Sequence, residues 1–158
     1  MFETMKRIKL LALALVPALL ITSTAVAQDE KHERQPSPKG AKVYIVTPKD
    51  GKTVKKKFKV VFGLKGMGIC PAGITAQGIP IPGTGHHHLL VDVDKMPAMD
   101  KPLSAEIPDK IMHFGKGQTE TMVELAPGKH TLQLVFADYA HVPHQKPVVS
   151  KKITITVE

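Results

Sequence analysis

Residues 58–64 read Phe-Lys-Val-Val-Phe-Gly-Leu, and apolar side chains in this stretch recur at every second position. A period of two places these side chains on one face of an extended strand, whereas a helix needs a spacing of three to four. The stretch therefore predicts a β-strand that buries one face.

The same alternation recurs on both sides of this stretch. Further runs with a period of two occupy residues 43–45, 87–93, 132–136 and 153–157. No window of helical length keeps a spacing of three to four, and thirteen prolines and twelve glycines punctuate the chain. We predict an all-β fold, an immunoglobulin-like antiparallel β-sandwich of about seven strands, although the tryptophan and the cysteine pair of antibody domains are absent.

The N-terminal residues have the composition of an export signal. Basic residues precede an apolar run from Leu10 to Ile21, and the small residues Ala25-Val26-Ala27 follow it. The apolar run is shorter than the roughly 20 residues that cross a bilayer, so a secretory signal peptide is the better interpretation. We predict a signal peptide over residues 1–27, a periplasmic or secreted product, and no transmembrane segment in the mature chain.

Residues 28–41 are polar and charged, contain two prolines and have no periodic apolar residues. Such a composition buries too little apolar surface to offset the entropy lost on ordering. We predict a disordered linker over 28–41, followed by one domain over 42–158 that is long enough for a single core.

The charge and cysteine content limit the classes of partner. The net charge is +8, and it falls to +6 once residues 1–27 are removed. Without an arginine-rich helix or interleaved aromatics, this basic balance argues against nucleic acid and leaves an anionic envelope component or a protein as partner classes. The single cysteine, Cys70, has no internal disulfide partner, so we expect a buried thiol, with a metal ligand or an intermolecular bridge as alternatives.

Histidines are concentrated in the predicted domain. If a short fourth strand lies within residues 95–112, the strand order of a sandwich gathers five of them at one end: His86, His88, His113, His141 and His144. His87 has the parity of the apolar residues that follow it and should point inward. His130 follows a Pro-Gly turn at the opposite end, where sandwiches carry a tyrosine that bonds back to upstream backbone.

The five gathered histidines offer a nitrogen-rich donor set. Two imidazoles at i and i+2 on a strand, joined by others from neighbouring segments, suit copper or zinc. Asp138 should orient His141 or His144. Methionines near the histidines would favour Cu(I), but methionine is also a common core filler; they are Met67, Met96, Met99 and Met112.

Two other functions compete with metal binding. In the first, the histidines bond to backbone and pin long Gly/Pro-rich loops, which makes the domain a structural or interaction module. The spacing of the histidines does not decide between metal binding and loop pinning. The second is catalysis, which we do not expect. No Ser-His-Asp or Cys-His arrangement can be assembled from local spacing, and Asp92 lies roughly 20 Å along the strand from His86.

Several ordered motifs resemble those of bacterial exported proteins grouped as domain-of-unknown-function family 4399. They are Gly85-His86-His87-His88-Leu89-Leu90-Val91-Asp92, His113-Phe114-Gly115-Lys116-Gly117-Gln118-Thr119-Glu120, Pro127-Gly128-Lys129-His130-Thr131-Leu132 and His141-Val142-Pro143-His144. The resemblance extends over most of residues 60–157. It implies a small exported β-domain and brings no established activity, so the chemistry has to be argued from the residues.

Overall fold

The computed structural model describes residues 32–103 and 108–158. The predicted signal peptide and the start of the predicted linker lie outside these residues. Within the part of the chain that the structure describes, no helix is long and apolar enough to cross a bilayer.

The described residues form an all-β fold, as predicted from the period of two. The strands are β1 (Lys42–Thr47), β2 (Thr53–Val54), β3 (Lys57–Lys65), β4 (Gly68–Ile69), β5 (Thr75–Ala76), β6 (Ile79–Pro80), β7 (Thr84–Val91), β8 (Ile111–His113), β9 (Glu120–Glu124), β10 (Gly128–Ala137), β11 (Pro143–Val149) and β12 (Ile153–Val157). A short 3-10 helix, Pro108–Lys110, precedes β8.

Two main sheets form a sandwich-like arrangement. The first has the antiparallel order β1-β3-β9. The second runs β2-β12-β10-β7-β4, with β11 also pairing with β10 and β8 with β7, and β5 and β6 form a separate hairpin. β1, β3 and β9 thus take the places of strands A, B and E of an immunoglobulin-like sandwich, and β7, β10 and β12 those of C, F and G.

The strand within residues 95–112 differs from the expectation. The prediction took it as the fourth strand, strand D, of an immunoglobulin-like sandwich, with His113 near the connection to strand E. Instead β8 pairs with β7 in the second sheet, and His113 is its last residue, opposite His88. The physical reason is that β8 has an apolar partner on each face: Met112 packs against the core between the sheets and Ile111 against a second cluster outside them.

The second sheet is buried on both faces along β7 and the second half of β10. Its inner face contributes Leu89, Leu134 and Phe136 to the main core, where they pack with Phe58, Val60 and Phe62 of β3. Its outer face carries a second apolar cluster, to which the segment after β7 also contributes. The members of this cluster are Leu90, Val93, Leu103, Ile111, Val135 and Ala137. Adjacent residues of β7 and β10 therefore alternate between the main core and the second cluster. The histidines of β7 follow the same alternation.

Candidate metal centre

Strand β7 sends its three consecutive histidines to two different faces of the sheet. Successive side chains of a strand alternate, so His86 and His88 share the outer face with Leu90, and His87 shares the inner face with Leu89. His87 lies between the rings of Phe62 and Phe136, each with its centroid 5.1 Å away. The inward orientation of His87 is as predicted.

His86, His88 and His113 bring ligand nitrogens together on the outer face. One nitrogen from each lies within 4.8 Å of the others, and the Nε2 atoms of His86 and His113 are 3.1 Å apart. Zn–N bonds of about 2.05 Å place neighbouring ligands roughly 3.3 Å apart in a tetrahedron. The three imidazoles are therefore close enough together to hold one small ion, and the His86–His113 separation is near that spacing.

His141 adds a fourth ring to this group from the turn between β10 and β11. Its ring centroid lies 4.6 Å from that of His113, 5.1 Å from that of His86 and 6.0 Å from that of His88. His141 has a φ of 67°, a conformation that few non-glycine residues adopt. We call these residues, His86, His88, His113 and His141, the four-histidine cluster.

Asp138 fixes the backbone of the turn that carries His141. Its Oδ1 accepts hydrogen bonds from the backbone N–H groups of Ala140 (2.9 Å) and Val142 (3.0 Å), which flank His141. The N–H of His141 itself donates to the Asp138 carbonyl. The expected link from Asp138 to His141 thus runs through the backbone and not through the imidazole.

Burial favours the neutral imidazole in His86, His88 and His113. His86 and His88 are fully buried, and burial, reinforced by repulsion from neighbouring imidazoles, lowers the pKa of His86 to about 3 and that of His88 to about 2. Burial also lowers the pKa of His113, although this side chain is exposed. Neutral imidazole is the form that ligates metal.

Buried imidazole nitrogens without hydrogen-bond partners are concentrated on β7. Among the described residues, Nδ1 of His86 and both nitrogens of His87 and His88 lack a partner. Buried polar atoms are normally paired, so the unpaired nitrogens of His88, which lies in the cluster, are groups that a ligand would satisfy. His87 faces the core instead. There burial lowers its pKa to about 4, although the backbone of Gln118 tends to raise that pKa.

His144 does not join the cluster, which corrects the prediction of a fifth ligand. It lies in β11 and not in a loop, and its ring stacks on Phe136 of the main core, with centroids 6.2 Å apart. Its Nε2 bonds to the Thr84 carbonyl at 3.2 Å. The register of β11 on β10 therefore gives His144 the structural role that the sequence left as an alternative.

The remaining sequence candidates are engaged elsewhere. Met67 and Met112 pack on the main core, and Met96 and Met99 on the outer cluster. Cys70 is a buried free thiol, with Sγ 3.9 Å from the Ile74 carbonyl.

The segment 32–38 was not anticipated as part of the site, because its polar composition gives no packing signal. It lies along β11, where the Gln145 N–H donates to the Gln35 carbonyl at 2.9 Å. At its start, His32 Nε2 lies 2.7 Å from Asp138 Oδ2. These contacts place part of the predicted linker next to the turn that carries His141.

The comparisons with known proteins place the chain among uncharacterised domains. The family model DUF4399, a domain of unknown function, matches residues 60–158. No curated protein matches the chain. Among solved structures, the X-ray structure of the endo-beta-1,4-mannanase from Thermotoga petrophila aligns with a TM-score of 0.41 and 16% identity, over 75% of this chain. The alignment spans 20% of the mannanase chain, and this likeness carries no argument about activity.

Proposed function

We propose that this chain, which belongs to the family of domains of unknown function DUF4399, is an exported, non-enzymatic domain that binds one copper or zinc ion. The ligands are the four-histidine cluster. The observation that supports this most is the convergence of nitrogens from His86, His88 and His113 to within 4.8 Å of one another.

The hydrogen bonding of the cluster favours metal binding over loop pinning. A histidine that pins a loop bonds to a backbone group through at least one nitrogen, as His144 does from Nε2 to the Thr84 carbonyl while its Nδ1 has no partner. Both nitrogens of His88 and Nδ1 of His86 are without partners instead. Leaving buried polar atoms unpaired destabilises a fold, and a bound ion would satisfy one nitrogen of each ligand ring.

The donor set favours a borderline or soft ion. No carboxylate joins His86, His88 and His113 in the group found among the described residues. Calcium and magnesium prefer oxygen ligands, whereas imidazole suits zinc and copper. His113 is exposed and His141 half-buried, so the ion can reach the cluster from that side.

The carboxylates do not support a catalytic role. Asp92 is bound to His130, 2.7 Å away at the other end of β7, and Asp138 is occupied by the backbone of its own turn. Neither carboxylate is free to act on a substrate at the cluster.

Calorimetric titration with Cu²⁺ and with Zn²⁺ tests the proposal. We expect one ion per chain, and at a hundredfold excess over its dissociation constant the ion should raise the free energy of unfolding by about 2.7 kcal/mol. His113→Ala, at an exposed side chain, should weaken binding while the protein stays folded. His130→Gln at the far end should leave binding intact. A flat wild-type titration with both ions, or equal affinities in all three proteins, contradicts the proposal.

A further inference from the structure

The segment before β1 is bound to the turn and strand that follow β10. Arg34 donates from Nε to the Pro143 carbonyl at 3.0 Å and from Nη2 to the carbonyls of His144 and Gln145. Ser37 Oγ donates to the Lys146 carbonyl at 2.9 Å. Together with the Gln35 backbone bond, these contacts fasten residues 32–38 along the first half of β11.

The first contact of this segment is with Asp138, in the turn that carries His141. His32 Nε2 donates to Asp138 Oδ2 at 2.7 Å, and the ring of His32 lies 5.4 Å from that of Tyr139. The other carboxylate oxygen, Oδ1, holds the N–H groups on both sides of His141. The Asp138 side chain is almost fully buried, whereas that of His32 is a quarter exposed.

We propose that residues 32–38 are a strap that positions the ligand His141, with His32 as the positioning residue that acts through Asp138. This inference rests on the proposed function. With the strap attached, the turn holds His141 in its left-handed conformation next to the other three imidazoles. With the strap detached, Asp138 loses the donor to Oδ2, the turn loosens, and the site keeps three fixed nitrogens and one mobile one. The strap therefore sets the coordination number and the release of the ion.

His32→Ala tests the strap through metal affinity. Replacing a group that orients a metal ligand weakens binding about 10- to 100-fold, and we expect at least a tenfold loss. Lys59→Ala is the control, because it removes an exposed ion pair with Glu120 on the first sheet and touches neither the strap nor Asp138, and it should bind as the wild type does. In a His141→Ala background, His32→Ala should add no further loss, since the ligand that it positions is gone.

Two further measurements separate positioning from a general loss of structure. The electron paramagnetic resonance spectrum of bound Cu²⁺ should report one nitrogen ligand fewer in His32→Ala than in the wild type. In the metal-free protein, the same substitution should speed hydrogen exchange at the N–H groups of Ala140 and Val142 and leave exchange in β10 unchanged.

The outcomes distinguish the two proposals. A wild type that binds neither ion overturns the metal site and, with it, the strap's effect on metal. A wild type that binds, combined with unchanged affinity, nitrogen count and exchange in His32→Ala, overturns the strap alone.

Discussion

His130 and Asp92 connect the ends of two neighbouring strands, far from the four-histidine cluster. His130 Nδ1 lies 2.7 Å from Asp92 Oδ2, and His130 Nε2 lies 2.9 Å from the carbonyl of Ala126, four residues upstream. The hydrogen bond with Asp92 raises the pKa of His130. Burial alone would raise the pKa of Asp92, but the hydrogen bonds from His130 and the Thr131 N–H outweigh it and lower that pKa.

Replacing His130 should destabilise the fold in a pH-dependent way. His130→Ala removes two hydrogen bonds and should lower the free energy of unfolding by about 1–2 kcal/mol. Because the folded pKa of His130 is raised above 6.5, the charge-assisted part of this stability is present below pH 6.5 and is lost as the pH rises through the folded pKa. Urea denaturation at pH 6 and pH 9 should show a smaller difference between variant and wild type at pH 9. A difference that grows with pH would contradict the pairing.

The role of His130 was predictable and that of its partner was not. A Pro-Gly turn followed by a polar ring at the start of a strand indicates a corner that bonds back to local backbone. Asp92 reaches His130 only because β7 and β10 pair in one particular register. A contact that depends on register between strands distant in sequence is not encoded in local spacing.

At the scale of elements, the turn after β8 is shaped around the ring of His113. A side chain at Gly115 would overlap the imidazole of His113 and would also contact the Cβ of Ala72. The backbone of Gly115 does not adopt a left-handed conformation, so the need for glycine there is steric. The turn therefore holds a ligand in place by leaving room for it.

Gly115→Ala should weaken metal binding without removing a ligand. The added methyl group forces the ring of His113 to move, and a displaced ligand should reduce affinity about tenfold or more. Gly68→Ala, in which the new methyl group meets a methyl of Thr84 at 3.3 Å, is a suitable control. Titration calorimetry of both variants measures the effect, and Gly115→Ala in a His113→Ala background should change nothing further. Wild-type affinity in Gly115→Ala would show that the ring has another position from which to bind.

The elements differ in how far their sequence predicts them. β3, β7 and β10 are long enough for the period of two to give both the strand and its buried face. β8 has three residues with apolar side chains on both faces, so periodicity could not assign its sheet. For His144, the flanking prolines Pro143 and Pro147 indicated a loop, whereas both lie in β11. Pro143 opens this edge strand, where its missing N–H is tolerated.

At the scale of the whole molecule, the buried histidines make folding a proton-releasing process in mild acid. The pKa values of His86, His87 and His88 are lowered to about 3, 4 and 2, while the unfolded value is 6.5. Below pH 6.5 the unfolded chain therefore binds more protons than the folded one, and stability falls as the pH falls. The decline becomes less steep below about pH 4, where folded His87 takes up its own proton, and it continues until His86 and His88 are protonated as well.

The metal-free protein should consequently be acid-labile. Three imidazoles that protonate only on unfolding give a slope of about 4 kcal/mol per pH unit, at about 1.4 kcal/mol per proton. Differential scanning calorimetry in chelator between pH 7.5 and 4.5 should show Tm falling steeply below 6.5. His87→Leu keeps all four cluster residues. It should reduce the slope of stability against pH by the contribution of one proton, about 1.4 kcal/mol per pH unit. A Tm that is flat across this range would contradict the neutral, buried state of these rings.

At this scale, the features that the sequence predicts are those that leave a pattern of apolar residues. One sheet face can be derived from alternation, and the gathering of His86, His88 and His141 follows from strand order. His113 joins them through the pairing of β8 with β7, which the sequence did not predict. The position of residues 32–38 could not be derived, because hydrogen bonds to strand carbonyls, such as those of Arg34, leave no hydrophobic signature. The second apolar cluster was also hidden, because Leu90 and Val135 follow residues that already satisfy a one-faced pattern.

The alternation of β7 also protects the chain against mispairing. If β7 slipped by one residue against β10, every side chain would change faces. The main core would then receive the two imidazoles of His86 and His88, and the outer face would keep only that of His87. His86, His87 and His88 look interchangeable in the sequence. A one-residue change in register nevertheless puts two imidazoles into the apolar core in place of one. The triplet thus penalises its own misalignment, and this selectivity operates during folding, before any ion is present.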